Sequence, residues 1–288
     1  MAFDPDRLLA LPPRETISRH GPRDVMLYAL GVGSSIEDPL APETLKFCYE
    51  RGLSVLPTMA VVLAWPGFWA SEPSYGIDWK RLLHGEQSLI LHKPIPVEGE
   101  LVSQLRITDI YDKGAAKGAL LYSQRDLYER SSGDLLATEI RGTFLRGNGG
   151  AGGRTDAAPA PYQTTRTGDP DIVVSLPTRT DQALLYRLSG DYNPLHADPA
   201  IAAGAGFEAP ILHGLCTYGV VGRAVLGALC ANDPARLKRL DCRFSSPVFP
   251  GETIVTEFWV ERPGVAAFRA SVQERGVVVL TNGLAEYR

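Results

Sequence analysis

The 288-residue chain has no uninterrupted apolar stretch approaching the roughly 18 residues that a membrane-spanning helix needs, so a soluble protein is expected. It also has no block of Lys and Arg, and its formal net charge is −4. The electrostatic footprint of phosphate-backbone binding is missing, and neither nucleic acid nor a membrane is expected as a partner. Cysteine is scarce. Cys48, Cys216, Cys230 and Cys242 lie far apart with no CxxC pair, which argues against a zinc site and a dense disulfide framework and fits a reducing cytoplasm. The N-terminus, MAFDPDRLLALPPRE, is acidic and proline-broken where an export signal has a basic stretch followed by an apolar one. The C-terminus, LAEYR, lacks a peroxisomal tripeptide, so a cytoplasmic location is expected.

What is present is enough for two folded units. Hydrophobic residues make up 44% and charged residues 22%, an ordinary globular balance, and the length exceeds the roughly 100 to 200 residues of a usual single domain. One segment breaks the pattern: RGNGGAGGRTDAAPAPYQ, residues 146–163, carries Gly, Pro and Ala with no apolar periodicity and reads as a linker between units at 1–145 and 164–288. Gly147, Gly149 and Gly152 formally satisfy GxGxxG. Proline-rich coil follows where a phosphate-binding helix would begin, so a dinucleotide site is not expected.

The flanking segments resemble each other. LYALGVGSS (from Leu27) parallels LYRLSGDYN (from Leu185), VLPTMAVV (from Val55) parallels ILHGLCTY (from Ile211), and KPIPVEGELV parallels SSPVFPGETIV. Three matches in the same order imply two copies of one unit. In the second copy, Leu215, Val221, Val225 and Leu229 recur at helical spacing in HGLCTYGVVGRAVLGALC, which predicts a central buried helix. Apolar and β-branched runs then predict strands over 239–248, 253–261, 266–273 and 277–287. The first copy shows an apolar stretch from Leu56 followed by runs at 87–92, 101–111, 119–128 and 135–145. The expected class is α+β, each antiparallel sheet wrapped around a central helix.

Reactive groups are densest between Ser189 and Gly214, where Asp191, Asn193, His196, Asp198 and His213 sit among glycines and prolines. Pro194 between Asp191 and His196 excludes a shared helix face, so a bent loop must bring them together. A carboxylate and an imidazole aimed at one water form an acid/base pair, because imidazole titrates near neutrality. The helix start at His213-Gly214 would add free N–H groups and a positive dipole end for a developing oxyanion. Each residue alone also fits ordinary structure: GDYNP as turn chemistry, His213 as a helix-terminal residue, Cys216 as a small core side chain.

Taken together, YRLSGDYNPLHADP followed by APILHGLCTYG resembles the signature of the MaoC-like type 2, R-specific enoyl-CoA hydratases, and LYALGVG and LLHGEQSL extend the resemblance into the first half. The resemblance implies a double hot-dog fold that uses no metal or redox cofactor, with an acyl-CoA thioester as substrate and a homodimer as assembly. The C-terminal half would be catalytic, and the N-terminal half, emptied of catalytic groups, would make room for the acyl tail. It further implies that Asp191 and His196 position and activate water, that Asn193 orders the loop or contacts ligand, and that Gly214 N–H is the oxyanion donor. Gly33 stands opposite Asp191 in the repeat, with no histidine following at the corresponding spacing. His213 and Leu215 are candidates to contact the substrate. Arg223, Lys238, Arg239 and Arg243 are candidates for the CoA phosphates. An acyl-carrier-protein dehydratase, a thioesterase and a silent acyl-CoA binder are the competing readings.

Overall fold

The computed structural model describes all 288 residues, Met1–Arg288. Six α-helices form in chain order: α1 (Pro5–Leu9), α2 (Pro22–Gly31), α3 (Pro42–Cys48), α4 (Gln182–Tyr186), α5 (Pro199–Gly204) and α6 (Gly214–Cys230). No helix is long and apolar enough to cross a membrane. The strands are β1 (Arg14–His20), β2 (Leu82–Leu91), β3 (Gly99–Asp112), β4 (Ala119–Glu129), β5 (Leu135–Leu145), β6 (Ile172–Pro177), β7 (Leu237–Phe244), β8 (Thr253–Arg262), β9 (Val265–Val272) and β10 (Val277–Tyr287).

All ten strands join one antiparallel sheet in the order β1-β3-β4-β5-β2-β7-β10-β9-β8-β6. Read outward from the β2–β7 junction, the two halves have the same order, so the internal repeat is a pseudo-twofold. The junction pairs Glu86 with Arg243, Ser88 with Asp241 and Ile90 with Arg239, and the Ser88 hydroxyl donates to the Asp241 carboxylate at its centre. This is a double hot-dog fold.

Strand alternation decides which side chains reach the interior. Leu240 and Cys242 belong to the main core, Phe244 packs against it, and Gln87 and Leu89 are buried on the same inner face. The outer face is partly covered by the Gly/Pro-rich segment, which has no helix or strand of its own. Arg154 bridges to Tyr111, pairs with Asp109 at 2.8 Å and lies over the Tyr111 ring, and Tyr162 and Thr164 bind Glu261. These 26 residues between β5 and β6, 146–171, are thus pinned along the sheet edges rather than hanging free.

Helix α6 lies against its own sheet and is also gripped by the first half. A Cβ on Gly219 would lie 2.4 Å from Val32 Cγ1, and one on Gly222 would lie 2.5 Å from Thr58 Cγ2, so only glycine admits this approach. One core cluster therefore runs through both halves. The central helix of the first half is much shorter than its counterpart: Pro57–Val61 makes a single 3₁₀ segment. Ala64 then turns with φ 47° and Pro66-Gly67 follows, a sequence that cannot continue a helix.

The expected strands all form, with shifted ends. β2 begins at Leu82 rather than Gln87, because a bulge between His84 and Glu86 hides the alternation there. β7 ends at Phe244 rather than Val248, where the SSP sequence stops the ladder. The edge strands β1 and β6 went unpredicted, since exposed edges such as RETISRH carry little apolar alternation.

Candidate active site

The loop between α4 and α6 is folded by its own short polar side chains. Asp191 Oδ1 accepts from Asn193 N at 3.2 Å, and Asn193 Oδ1 accepts from Leu195 N at 3.1 Å. Asn193 thereby caps the 3₁₀ turn Pro194–His196, which swings the imidazole inward to 8% exposure. Asp198 caps α5 through Ala200 N.

His196 Nδ1 lies 2.8 Å from the Ile211 carbonyl oxygen, so Nδ1–H donates there and Nε2 keeps its lone pair. His213, 1% exposed, lies 3.1 Å through Nε2 from the Asp191 main-chain oxygen. That bond leaves His213 Nδ1 buried without a partner. The two rings stack with centroids 3.7 Å apart. Asp191, His196 and His213 offer ligand atoms all within 4.8 Å of one another, close enough that the same three residues could hold a metal ion.

Burial pushes the pKa of both histidines down. For His196, desolvation outweighs the Ile211 hydrogen bond and the attraction of Asp191. For His213, desolvation and the neighbouring His196 push the value down to about 4. Both rings are therefore neutral near pH 7, and His196 Nε2 can accept a proton.

α6 begins at Gly214 with no side-chain cap, and the Gly214 and Leu215 N–H groups have no acceptor in the chain. These two donors and the positive end of the helix dipole follow directly after His213, whose ring stacks on His196. A Cβ at residue 214 would lie 3.3 Å from the Phe244 ring, so glycine keeps this approach open. Leu215 is half-buried against the core.

The candidate cations all have partners within the chain. Arg223 donates to the Val32 carbonyl at 3.1 Å and to Glu37 at 2.6 Å, which ties α6 to the first half and occupies its fork. Arg243 points to the outer face and pairs with Glu86 at 3.3 Å, because Cys242 and Phe244 take the inward positions. Arg239 shares that outer face with Asp241, and Lys238 donates to Ala235 O near the opposite end of α6. None of these four faces the catalytic loop.

Sequence reading missed four neighbours. Tyr186 packs 4.9 Å from His213 and 6.1 Å from Tyr28, its hydroxyl buried without a partner. Phe244 contacts Gly214, and His84 lies 4.8 Å from Phe244. Arg187 stacks on Tyr192 and donates to its carbonyl at 3.2 Å. Tyr186 and His84 stand inside the quoted motifs YRLSGDYNPLHADP and LLHGEQSL, but nothing in their local spacing marks them as neighbours of the catalytic loop and the start of α6.

Fold and site together define a MaoC-type double hot-dog protein. Residues 161–283 match the MaoC like domain, and residues 19–147 match the MFE-2 hydratase 2 N-terminal domain. A protein of Dictyostelium discoideum called probable enoyl-CoA hydratase 2 is 44% identical over 272 residues, covering 91% of this chain and 89% of the relative. The Mycobacterium tuberculosis 3-hydroxyacyl-thioester dehydratase Y is 41% identical, covering 100% of this chain and 99% of its own length. The crystal structure of a MaoC-like dehydratase from Phytophthora capsici superposes with a TM-score of 0.85 at 37% identity, covering 98% of both chains. The chain belongs to the MaoC-like hydratase 2 family.

Proposed function

We propose that this protein is a hydro-lyase that reversibly hydrates a trans-2-enoyl-CoA to the (3R)-3-hydroxyacyl-CoA, with water held between Asp191 and His196. The observations that support this reading are the cluster of Asp191, His196 and His213, whose ligand atoms lie within 4.8 Å of one another, the lone pair left on His196 Nε2 by the Nδ1 bond to Ile211, and the uncapped start of α6 directly after His213. The named relatives support it: one is a hydratase, another a dehydratase of the reverse reaction.

In the forward direction His196 Nε2 takes a proton from water as its oxygen bonds to the β-carbon. The alkene electrons move onto the thioester oxygen, where Gly214 N–H meets the developing negative charge. The proton then passes to the α-carbon on the same face, which completes a syn addition. Asp191 holds the water's second hydrogen, and Asn193 fixes the loop. The chemistry as proposed needs neither a metal nor a redox cofactor, and CoA is part of the substrate. The acyl tail enters the first half, where the short 3₁₀ segment replaces a full helix. Units at 1–145 and 164–288, a homodimeric assembly and a cytoplasmic location belong to the same reading.

Purified protein mixed with crotonyl-CoA should consume the enoyl absorbance and give the (R) product. Asp191→Asn and His196→Gln should each abolish turnover while circular dichroism stays native. An (S) product, or full activity in either variant, overturns the assignment.

A further inference from the structure

Outside the catalytic loop, the densest buried charge lies on the inner face of the first half. Arg125 Nε donates to Glu139 Oε2 at 2.7 Å, and its terminal nitrogens donate to the Leu63 and Ala60 carbonyls, each at 2.7 Å. Arg125 is therefore fully committed to closing the 3₁₀ segment. Arg141 Nη2 donates to the other oxygen of Glu139 at 2.7 Å, and its guanidinium lies 4.3 Å from the Trp65 ring centroid. Two guanidinium groups share one carboxylate, which leaves one positive charge uncompensated within the cluster.

Side-chain exposures are 2% for Arg125, 4% for Glu139 and 16% for Arg141, so Arg141 is the least buried of the three. Glu139 is its one hydrogen-bond partner, and the remaining donors of its fork are uncommitted. Arg141 also borders a crevice with Trp65, Trp69 and Ser123 that is too narrow to hold a water molecule, so a chain-end carboxylate must part these side chains to reach the guanidinium.

The register places this charge beside the catalytic end of α6. Arg141 pairs across β2 with Gln87, and Gln87 pairs with Cys242 on β7. With strands about 4.8 Å apart, Arg141 lies about 10 Å from β7. In the neighbouring row Thr143 pairs with His84, whose ring touches Phe244, the side chain against Gly214. Gln87 Oε1 is buried between these rows without a partner. The positive charge of Arg141 is felt at both His84 and Tyr186.

In the second half the equivalent inner face is apolar, built from Leu240, Phe258, Ala266, Phe268 and Ala270 beneath α6. A face that received only hydrocarbon would gain nothing from an uncompensated, largely desolvated guanidinium. We propose that Arg141 is a specificity-determining residue, its free donors receiving a carboxylate at the far end of the acyl chain, so that preferred substrates are enoyl thioesters ending in a carboxylate rather than a methyl. This rests on the hydratase reading of the site. A planar fork with two free donors suits bidentate capture of a carboxylate.

The test compares kcat/KM for matched trans-2-enoyl-CoAs of about six to eight carbons that end in a methyl or a carboxylate. The wild-type chain should favour the carboxylate on the order of 10- to 100-fold, the worth of a charge-assisted hydrogen bond. Arg141→Met should collapse or invert that ratio, and Arg141→Lys, which keeps charge but not the fork, should restore part of it. Both substrates report on the same folded molecules, so partial misfolding of a variant leaves the ratio readable. Equal treatment of the two series by wild type, or a ratio unchanged in Arg141→Met, overturns the assignment of Arg141. If the methyl series and crotonyl-CoA turn over normally, the hydratase reading survives that result. Loss of turnover on every thioester refutes the hydratase reading, and the assignment of Arg141 falls with it.

Discussion

The imidazole of His213 lies against that of His196, centroids 3.7 Å apart and planes inclined at 28°, and each ring is fixed by a different main-chain oxygen. His213 holds the Asp191 backbone as well as the face of His196, so it acts on the reaction through both neighbours. His213→Phe should keep the stacking surface but lose the bond to the Asp191 carbonyl. A fall in kcat of roughly 10- to 100-fold with little change in KM is expected from the resulting misplacement. Steady-state kinetics on crotonyl-CoA would check it, and an unchanged kcat would remove His213 from its positioning role.

The acid limb of the pH profile should reflect His196. Burial lowers its pKa, so kcat/KM should hold through the ordinary histidine range near pH 6.5 and fall only below it, as Nε2 becomes protonated. Arg187 also disfavours the protonated ring. Removing that charge in Arg187→Gln makes protonation easier and should move the limb to higher pH; a shift to lower pH would contradict the sign.

His84 should contribute to acid lability. Burial and the Arg141 charge push its pKa down to about 3 in the folded chain, against about 6.5 when unfolded. Between those values the unfolded state binds the extra proton. The stability held above pH 6.5 is therefore lost progressively as pH falls toward 3. His84→Gln should flatten the dependence of Tm on pH in this window relative to wild type. Parallel curves for the two proteins would show that His84 does not titrate on unfolding.

Gly219→Ala tests the grip of the first half on α6. The new methyl would meet Val32 at 2.4 Å and the Tyr28 hydroxyl at 3.0 Å, both in the packed core. A loss of about 1 to 3 kcal/mol is expected in denaturant unfolding. Stabilisation, as alanine normally gives in a helix, would mean that the halves separate more readily than their packing implies.

Arg223→Met separates a structural cation from a CoA-binding one. Its bonds to Val32 and Glu37 predict a lower denaturation midpoint with an unchanged KM for crotonyl-CoA. A selective rise in KM would return Arg223 to the substrate.

Much of the architecture was legible because burial imposes periodicity. The α6 run shows its spacing of Leu215, Val221, Val225 and Leu229, and the inner strands show alternation. The edge strands β1 and β6 and the start of β2 were not, since edges and bulges relax that constraint. The loop from Ser189 to Gly214 showed its chemistry in residue types, and its Asx contacts are local enough to follow from the sequence.

What the sequence determined by itself is the repeat, the apolar helix and the polar loop, all products of near-neighbour constraints. Only the tertiary structure decided which partners the candidate cations meet, Val32 and Glu37 for Arg223 and Glu86 for Arg243. Strand parity and pairing partners settle the direction of a long side chain, and neither is local. The same non-local order brought His84, Tyr186 and Phe244 to the catalytic end of α6. It also set Arg141, far from Asp191 in the chain, on the sheet face beside that end.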